Sequence, residues 1–524
     1  MRSRALKYQA VIILRWGLTL RNEDTTHVAK GSAYLIIQVL VSALISAVGF
    51  AFTARILTQV EMGVVVALTL TQGVALLISD MGFSSGLTKY ISEYRGRDID
   101  HTHIAFTGIF IKASVAMVIT AFLAAMAPIT SEWLLRDIQY TFAFQLFSID
   151  ILIACIVTTL NSLLLGMGRI RELALVNVVS GSARQASAVI LLLYGYGLLG
   201  LVAGWIFGSL IHFGLSIFLV VGARSVQICS LKEVMQHLKI LAKFSSPLFI
   251  TNTVMFLYNW FDRALLLAFV PLSEVAVYNV AYSAFTVLYA VPTALKATLF
   301  PFYGEQYGRN KQENIVIGVR ASTRYIALLY TPLALGLAAT ASPVITLFAG
   351  ATYTGGDTIL ATLSFFGGIS CLEAALGTLL LTFEMTPAVL LINCGSVGAS
   401  LAMSSVLLPQ FQTLGMAIVK GISLTITLVL SFVLLRKRLS IQFDIEAIRK
   451  SWIGSTIMFI VVGLLEKIYF RANLLPFYIF AGGGVYLLVL RILKAVNEKD
   501  LELIRSLVGA RADTIVNVAR KILT

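Results

Sequence analysis

About fourteen apolar runs, each near the length that a helix needs to cross a bilayer, recur between residues 31 and 492. A bilayer core takes roughly 20 apolar residues per helix. Hydrophobic residues fill 58% of the 524 positions and charged residues only 13%, too few for large water-soluble domains. The sequence therefore predicts an all-α integral membrane protein. The predicted spans are 31–54, 62–88, 104–127, 140–165, 173–193, 198–221, 244–270, 275–301, 322–341, 357–381, 386–408, 412–435, 451–465 and 474–492.

The net charge of +14 is distributed unevenly between the loops. With the N-terminus inside, 32 of the 40 Lys and Arg residues fall in cytoplasmic segments and four fall outside. Cytoplasmic loops carry this excess in membrane proteins, so we expect a multi-pass protein of the cell (inner) membrane with both termini cytoplasmic. Residues 1–27 are expected to form a basic interfacial segment and residues 495–524 a cytoplasmic amphipathic helix. The positive charge then serves topology and contact with anionic membrane lipids, and requires no nucleic-acid partner.

The chain also resembles itself at a nearly constant offset of 212–215 residues. RILTQVEMGVVV matches FVPLSEVAVYNV, YISEYRGR matches FYGEQYGR, and LLYGYGLLG matches LLPQFQTLG. The repeated unit holds six spans, and an even number returns the chain to the same side. We therefore expect two parallel six-helix lobes, at 28–222 and 240–436, with a cytoplasmic linker at 223–239 and two further spans within 437–494.

Several charged residues lie inside predicted spans, where a charge costs roughly 2.5–3.5 kcal/mol at mid-bilayer. The six that we single out are Arg184, Asp262, Arg263, Lys296, Glu373 and Lys420. Arg184 and Lys420 fall near the middle of their spans, which fits either a polar cavity or pairing between helices. Lys296 lies near the cytoplasmic face, where it can also snorkel. Four of the six are basic, which mildly favours an anionic cargo.

Asp262 and Arg263 are neighbours in one span, with Asn259 one turn earlier. Adjacent residues point about 100° apart on a helix, so these two cannot form one simple pair along its face. Each is expected to find its own partner. The pair then either pins neighbouring helices or forms a conformationally sensitive site beside an aqueous cavity.

Motifs for cofactors and metals are weak in this sequence. GYGLLG at 195–200 formally matches a dinucleotide fingerprint, but it joins two predicted membrane helices and lacks the required strand. The cysteines show no disulfide or zinc spacing, and His101 and His103 are expected in a solvated loop. We expect no cofactor, no metal and no catalytic residues.

Several segments resemble the polysaccharide-exporter (Wzx-type) branch of the multidrug/oligosaccharidyl-lipid/polysaccharide exporter superfamily. They are ARILTQVEMG (54–63), SDMGFSSGLTKYISEY (79–94), YNWFDRALLLAFVPLSEVAVYNVAY (258–282), SPVITLFAGATYTGGDTIL (342–360) and VLLPQFQTLGMAIVKGIS (406–423). Asp262 matches an Asp typical of the seventh span, and Pro301 matches a Pro leaving the eighth. The family's Phe-Gly-x-x-Tyr signature is relaxed here, with one extra residue between Phe348 and Tyr353.

The resemblance implies two lobes around a central cavity, and a flippase that moves a lipid-(pyro)phosphate-linked oligosaccharide to the outer leaflet by alternating access. The implied partners are a polyprenyl- or dolichyl-linked oligosaccharide, membrane lipids and glycan-assembly proteins. Phosphates crossing a low-dielectric region need cations, so we predict substrate binding by the four basic residues and coupling or gating by the others. The predicted binding residues are Arg184, Lys420, Arg263 and Lys296, and the predicted gating residues are Asp262, Glu373 and Asn259.

Three other functions compete with this one. A drug or cation antiporter of the same superfamily would need acidic residues in its cavity, and a peptidoglycan-precursor flippase would have a similar architecture. A membrane glycosyltransferase or polymerase would need a polar catalytic site, yet the longest predicted outside connection, 342–356, contains no Asp, Glu or His. The enzyme is therefore disfavoured.

Overall fold

The computed structural model describes residues 23–222 and 226–495, and within these ranges every regular element is a helix. This confirms the predicted all-α membrane fold. The helices are α1 Glu23–Ile56, α2 Gln59–Asp80, α3 Phe83–Gly96, α4 Thr102–Thr130, α5 Thr141–Gly166, α6 Ile170–Leu193, α7 Gly197–Gly222, α8 Leu231–Phe269, α9 Leu272–Leu288, α10 Ala290–Gly308, α11 Gln312–Ala339, α12 Ala341–Ala349, α13 Gly356–Ser370, α14 Glu373–Thr382, α15 Thr386–Leu435, α16 Ile445–Ile468 and α17 Leu475–Ile492. The predicted C-terminal helix and most of the predicted N-terminal segment lie outside the described residues.

The segment α15 is a hairpin of two helices. Its backbone leaves helical geometry at Gln412 (φ 48°, ψ −125°). The hydroxyls of Ser396 and Thr427 lie 3.1 Å apart although 31 residues separate them, so the chain must reverse between them. Ten described helices are long and apolar enough to span, and three bent pairs of helices add up to three more. With α15 divided at Gln412, the described chain holds the fourteen predicted spans.

Three pairs of consecutive helices meet at sharp bends, and two of these bends fall inside predicted spans. Helices α9 and α10 meet at 40°, α13 and α14 meet at 50°, and the short α12 turns 73° away from α11. The second predicted span also divides, because Met81 (φ 43°) and Gly82 (φ 83°) separate α2 from α3. Apolar periodicity reports the length of a span, but it does not report such breaks.

The predicted linker 223–239 is partly helical. Helix α8 begins at Leu231 because Ser230 and Glu233 form a capping box, in which each side chain accepts a hydrogen bond from the other residue's backbone N–H. The helix is 39 residues long and includes the predicted seventh span. Its first part packs against α3 and α4, and its later part packs against α15.

The internal repeat is visible in local geometry. Glu61 and Glu274 each occupy the third position of α2 and α9, in helices that begin 213 residues apart. Glu93 pairs with Arg97 at 2.8 Å, and Glu305 pairs with Arg309 at 2.7 Å, at an offset of 212.

The third repeated segment shows the same agreement. Gly197 (φ 52°) and Gln412 (φ 48°) share a left-handed φ at an offset of 215. The sequence repeat therefore reflects repeated helix starts, ion pairs and turns, although the capping box of Thr58 and Glu61 has no counterpart at Pro271 and Glu274. The lobe boundaries at residues 222, 240 and 436 stay a prediction.

The two predicted lobes contact each other toward the cytoplasmic side, where a Cβ at Gly82 would lie 2.9 Å from the Ser245 carbonyl oxygen, and also at the predicted outer ends of the helices. The Gln59 side chain donates to the Thr352 carbonyl at 2.6 Å. A Cβ at Gly63 would lie 2.4 Å from the Leu272 carbonyl oxygen, so only glycine allows α2 and α9 to approach this closely. Helices α16 and α17 pack on α11, where the Ser451 hydroxyl donates to the Ala327 carbonyl at 2.8 Å.

Candidate functional site

A cavity of about 690 Å³ lies among α8, α9, α10, α14 and both arms of α15. The bends between α9 and α10 and between α13 and α14 border it. Its lining combines cations, amides and aromatic rings with aliphatic side chains. The polar and aromatic lining residues are Tyr258, Asn259, Tyr282, Phe285, Thr286, Tyr289, Lys296, Phe300, Glu373, Thr378, Asn393, Lys420, Thr427 and Ser431. Four of the seven predicted site residues are therefore brought together: Asn259, Lys296, Glu373 and Lys420.

The more accessible cation of the cavity is Lys296. Its ammonium lies 2.7 Å from Glu373 Oε2, and the two side chains are 41% and 20% exposed. This pair joins α10 to the first turn of α14, so it links the two helices that follow the bends. A partly exposed pair is weakly held, so an anion entering the cavity can compete with Glu373 for Lys296.

The second cation, Lys420, is almost fully buried. Its ammonium donates to the Tyr258 carbonyl at 2.8 Å and lies 3.8 Å from Asp262 Oδ2. It also lies 4.9 Å from the centre of the Phe261 ring. These contacts join the second arm of α15 to α8 and hold the positive charge at one wall of the cavity.

Asp262 is completely buried behind Lys420 and is not part of the cavity lining. Its Oδ2 accepts a hydrogen bond from the Tyr278 hydroxyl at 2.8 Å. The Nε of Arg263 lies 3.7 Å from Asp262 Oδ1, too far for a hydrogen bond, and both atoms are buried without a hydrogen-bond partner. The adjacent residues therefore form a loose ion pair without a hydrogen bond, whereas the sequence led us to expect no simple pair between them.

Arg263 also lies outside the cavity lining. Its guanidinium donates to the Asn259 carbonyl at 2.6 Å and lies 3.9 Å from the centre of the Trp260 ring. The buried atoms left without partners, Asp262 Oδ1 and Arg263 Nε, mark this pair as incompletely satisfied in the present conformation.

Arg184 lies in the N-terminal half, away from this cavity. Its guanidinium lies 3.2 Å from Asp150 Oδ2, which also accepts from the Gln72 amide at 3.0 Å. The Ser209 hydroxyl donates to Asp150 Oδ1 at 2.6 Å. Of the two roles left open by the sequence, pairing between helices is the one that this geometry favours, and binding of cargo by Arg184 stays a prediction.

Three intramembrane charges escaped the sequence analysis. Asp150 is fully buried in α5, and Lys112 in α4 pairs with Asp80 at 2.6 Å. All three positions fall within predicted helices or at their ends, so their charge alone was a sufficient signal. With them included, the excess of basic over acidic residues falls from two to one. The preference for an anionic cargo must therefore rest on the cavity lining.

Comparisons with known proteins agree with this architecture. A family model described as polysaccharide biosynthesis protein matches residues 52–356. The probable low-salt glycan biosynthesis flippase Agl15 of Haloferax volcanii is 21% identical over 472 residues, which cover 90% of this chain and 97% of that protein.

Solved structures of transporters share the fold. The lipid II flippase MurJ in an inward closed conformation superposes with a TM-score of 0.71 at 14% identity, covering 87% of this chain and 97% of that one. An inward-facing multidrug resistance MATE transporter of the MOP superfamily gives 0.63 at 13% identity, covering 76% and 94%. The family match spans more than half of the sequence, and the chain therefore belongs to the polysaccharide biosynthesis protein family.

Proposed function

We propose that this protein is a flippase that carries a lipid-(pyro)phosphate-linked oligosaccharide from the cytoplasmic to the outer leaflet of the cell membrane. The observation that carries the proposal is a cavity between membrane-spanning helices with Lys296 and Lys420 on its wall. Phosphate is strongly disfavoured in a low-dielectric environment unless cations neutralise it. Membership of the polysaccharide biosynthesis family and similarity to Agl15, a probable glycan biosynthesis flippase, support a glycan as the other part of the cargo.

The two lysines have different roles in this proposal. Lys296 is exposed and meets the incoming phosphate, which displaces Glu373. Lys420 is buried against Asp262 and contributes a positive potential at the cavity wall. Arg263 acts indirectly, since its guanidinium lies behind the lining, and Asn259 presents its amide to the cargo.

Conformational change is assigned to the Asp262 cluster. We propose that Asp262 and Arg263 exchange partners as two lobes, approximately 28–222 and 240–436, rock against each other with both termini in the cytoplasm. The Oδ1 and Nε atoms, which face each other at 3.7 Å but have no hydrogen bond, support this role, because a conformation that gave them hydrogen bonds would compete with the present one. The outer contact between Gly63 and Leu272 would open in the same movement.

A drug or cation antiporter fits this cavity less well. The charged lining consists of Lys296, Lys420 and Glu373, and Glu373 is already paired with Lys296. A cationic drug would therefore meet net positive charge. A peptidoglycan precursor is also a lipid-linked pyrophosphate, so the charged lining does not distinguish that cargo from other glycans, and the assay must identify the lipid that accumulates.

The test uses cells that lack the gene and are complemented with variants at equal protein level. Lipid-linked saccharide exposed outside is measured in spheroplasts by its oxidation with membrane-impermeant periodate, and the lipid left inside is identified by mass spectrometry. Lys420→Ala should abolish exposure and Lys420→Arg should keep part of it. The matched control is Arg309→Ala, which removes a solvent-exposed pair far from the cavity. Full exposure in cells lacking the gene would refute the proposal.

A further inference from the structure

One wall of the cavity carries an aromatic stripe that charge recognition does not explain. Tyr282, Phe285 and Tyr289 follow each other on α9 and into the bend, with ring centres 6.3 Å and 5.7 Å apart. All three line the cavity, and Tyr258 lines it from α8. Aromatic stripes at helical spacing usually belong to a packed core, and Phe285 does, at 2% exposure. Tyr282 and Tyr289 are instead partly exposed and border open volume, although the Tyr282 ring also faces the Arg263 guanidinium at 4.6 Å.

The stripe also has polar groups that are available to a ligand. Among the described residues, the Asn259 amide and the hydroxyls of Tyr282 and Tyr289 make no hydrogen bond, although all three side chains line the cavity. The Asn393 amide donates to the Met255 sulfur, a weak acceptor, at 3.1 Å. Flat apolar rings beside free amides and hydroxyls match a sugar, which presents a C–H face for packing and hydroxyls at its edge for hydrogen bonds.

Spacing along the helix orders these groups relative to the cation. Tyr282, Tyr289 and Lys296 follow one another at intervals of seven residues, and all three line the same cavity. Seven residues correspond to about two helical turns, or about 10.5 Å. The stripe therefore begins about two turns from Lys296 and continues toward the buried end at Lys420. A volume of about 690 Å³ accommodates a ligand of the size of a short oligosaccharide.

We propose that this stripe is a carbohydrate subsite, in which sugar rings pack on Tyr282 and Tyr289 while the adjoining phosphate binds Lys296. The inference deepens the proposed flippase function and rests on it for the phosphate end. It assigns the orientation of the bound cargo in the cavity: the glycan lies toward Lys420, and the lipid phosphate lies at Lys296. Recognition then depends on the proximal sugars, with the aromatic rings selecting sugars whose C–H face is free.

The experiment separates the sugar from the anion with purified full-length protein. One probe is an array of mono- to pentasaccharides without lipid or phosphate, and the other is geranyl pyrophosphate without sugar. Tyr282→Leu and Tyr289→Leu should each weaken saccharide binding by about tenfold and leave geranyl pyrophosphate affinity within about twofold. Lys296→Met should do the reverse. Phe218→Leu, which replaces an exposed aromatic residue on the surface of α7, is the matched control and should change neither.

The phenylalanine variants separate ring packing from hydroxyl contacts and remain informative if a leucine variant fails to fold. Tyr282→Phe and Tyr289→Phe keep the ring and should retain most of the saccharide affinity. The proposal is overturned if the wild-type protein retains no saccharide, or if the leucine variants weaken geranyl pyrophosphate as strongly as sugar, which would assign the stripe to the lipid chain. Periodate exposure in complemented cells is independent of these probes. Normal exposure without saccharide binding therefore refutes the subsite alone, and saccharide binding without exposure refutes the flippase function alone.

Discussion

Replacing Asp150 with alanine tests whether Arg184 serves the structure of the N-terminal half or the cargo. Asp150 is fully buried and accepts hydrogen bonds from Gln72, Arg184 and Ser209. The substitution removes the anion and leaves the guanidinium of Arg184, which is 25% exposed, without its partner. The expected result is a large loss of stability.

The magnitude follows from the burial of the pair. Removing one partner of a buried ion pair costs about 3–5 kcal/mol, because the remaining charge stays desolvated. Partial exposure of Arg184 allows some solvation, so we expect about 3 kcal/mol for Asp150→Ala. The double variant Asp150→Leu/Arg184→Met removes both charges and should lie within about 1 kcal/mol of the wild-type protein, since apolar replacement of a buried pair is often neutral.

The assay is SDS titration of the purified protein in mixed micelles, which gives the free energy of unfolding, together with periodate exposure of lipid-linked saccharide in cells. The double variant should transport normally because Arg184 does not line the cavity. Two results would refute this reasoning. One is a double variant that folds normally but fails to transport, which would make Arg184 a cargo cation; the other is an unchanged unfolding free energy in Asp150→Ala.

Three further predictions concern the cavity, the topology and the outer contact. Lys296→Glu and Glu373→Lys should each impair transport. The double variant with both substitutions should restore transport only in part, because it rebuilds the ion pair but moves the cation to position 373. Full recovery would argue against phosphate binding at position 296. In a cysteine-free background, Asn310→Cys should resist an impermeant maleimide in intact cells, and rapid labelling would reverse the assigned topology. Gly63→Leu should force α2 away from Leu272, because no space exists there for a side chain. Residues at this outer contact should then be labelled more strongly by membrane-impermeant reagents, and unchanged labelling would show that the contact does not close the outer side.

The sequence predicted the fold well because length and hydrophobicity are local properties of each span. All fourteen runs correspond to helices, bent pairs or arms of the α15 hairpin in the described residues. The repeat was also readable, since Glu61 and Glu274 occupy the same third position of α2 and α9, and residue type and spacing therefore agree between the two halves. Breaks were not readable, because a bend such as the one between α9 and α10 leaves hydrophobicity unchanged.

The site was only partly predictable, since pairing depends on which helices become neighbours. Lys420 and Asp262 are 158 positions apart in sequence, and only the packing of α15 on α8 brings them to 3.8 Å. The same limit explains why the sequence left two roles open for Arg184, since its partner Asp150 lies on another helix. The aromatic stripe has ordinary helical spacing in the sequence and differs from a packed core only because it borders a cavity.

Reconstitution tests the central claim most directly. Purified protein in liposomes should move a lipid-pyrophosphate-linked saccharide between leaflets, measured as the fraction that becomes accessible to a glycosidase added outside. We expect the Lys296→Ala/Lys420→Ala variant to reduce this rate to that of protein-free liposomes, while Arg309→Ala leaves it unchanged. A double-lysine variant that is folded and transports at the wild-type rate would contradict the assignment of this cavity as the path of the cargo.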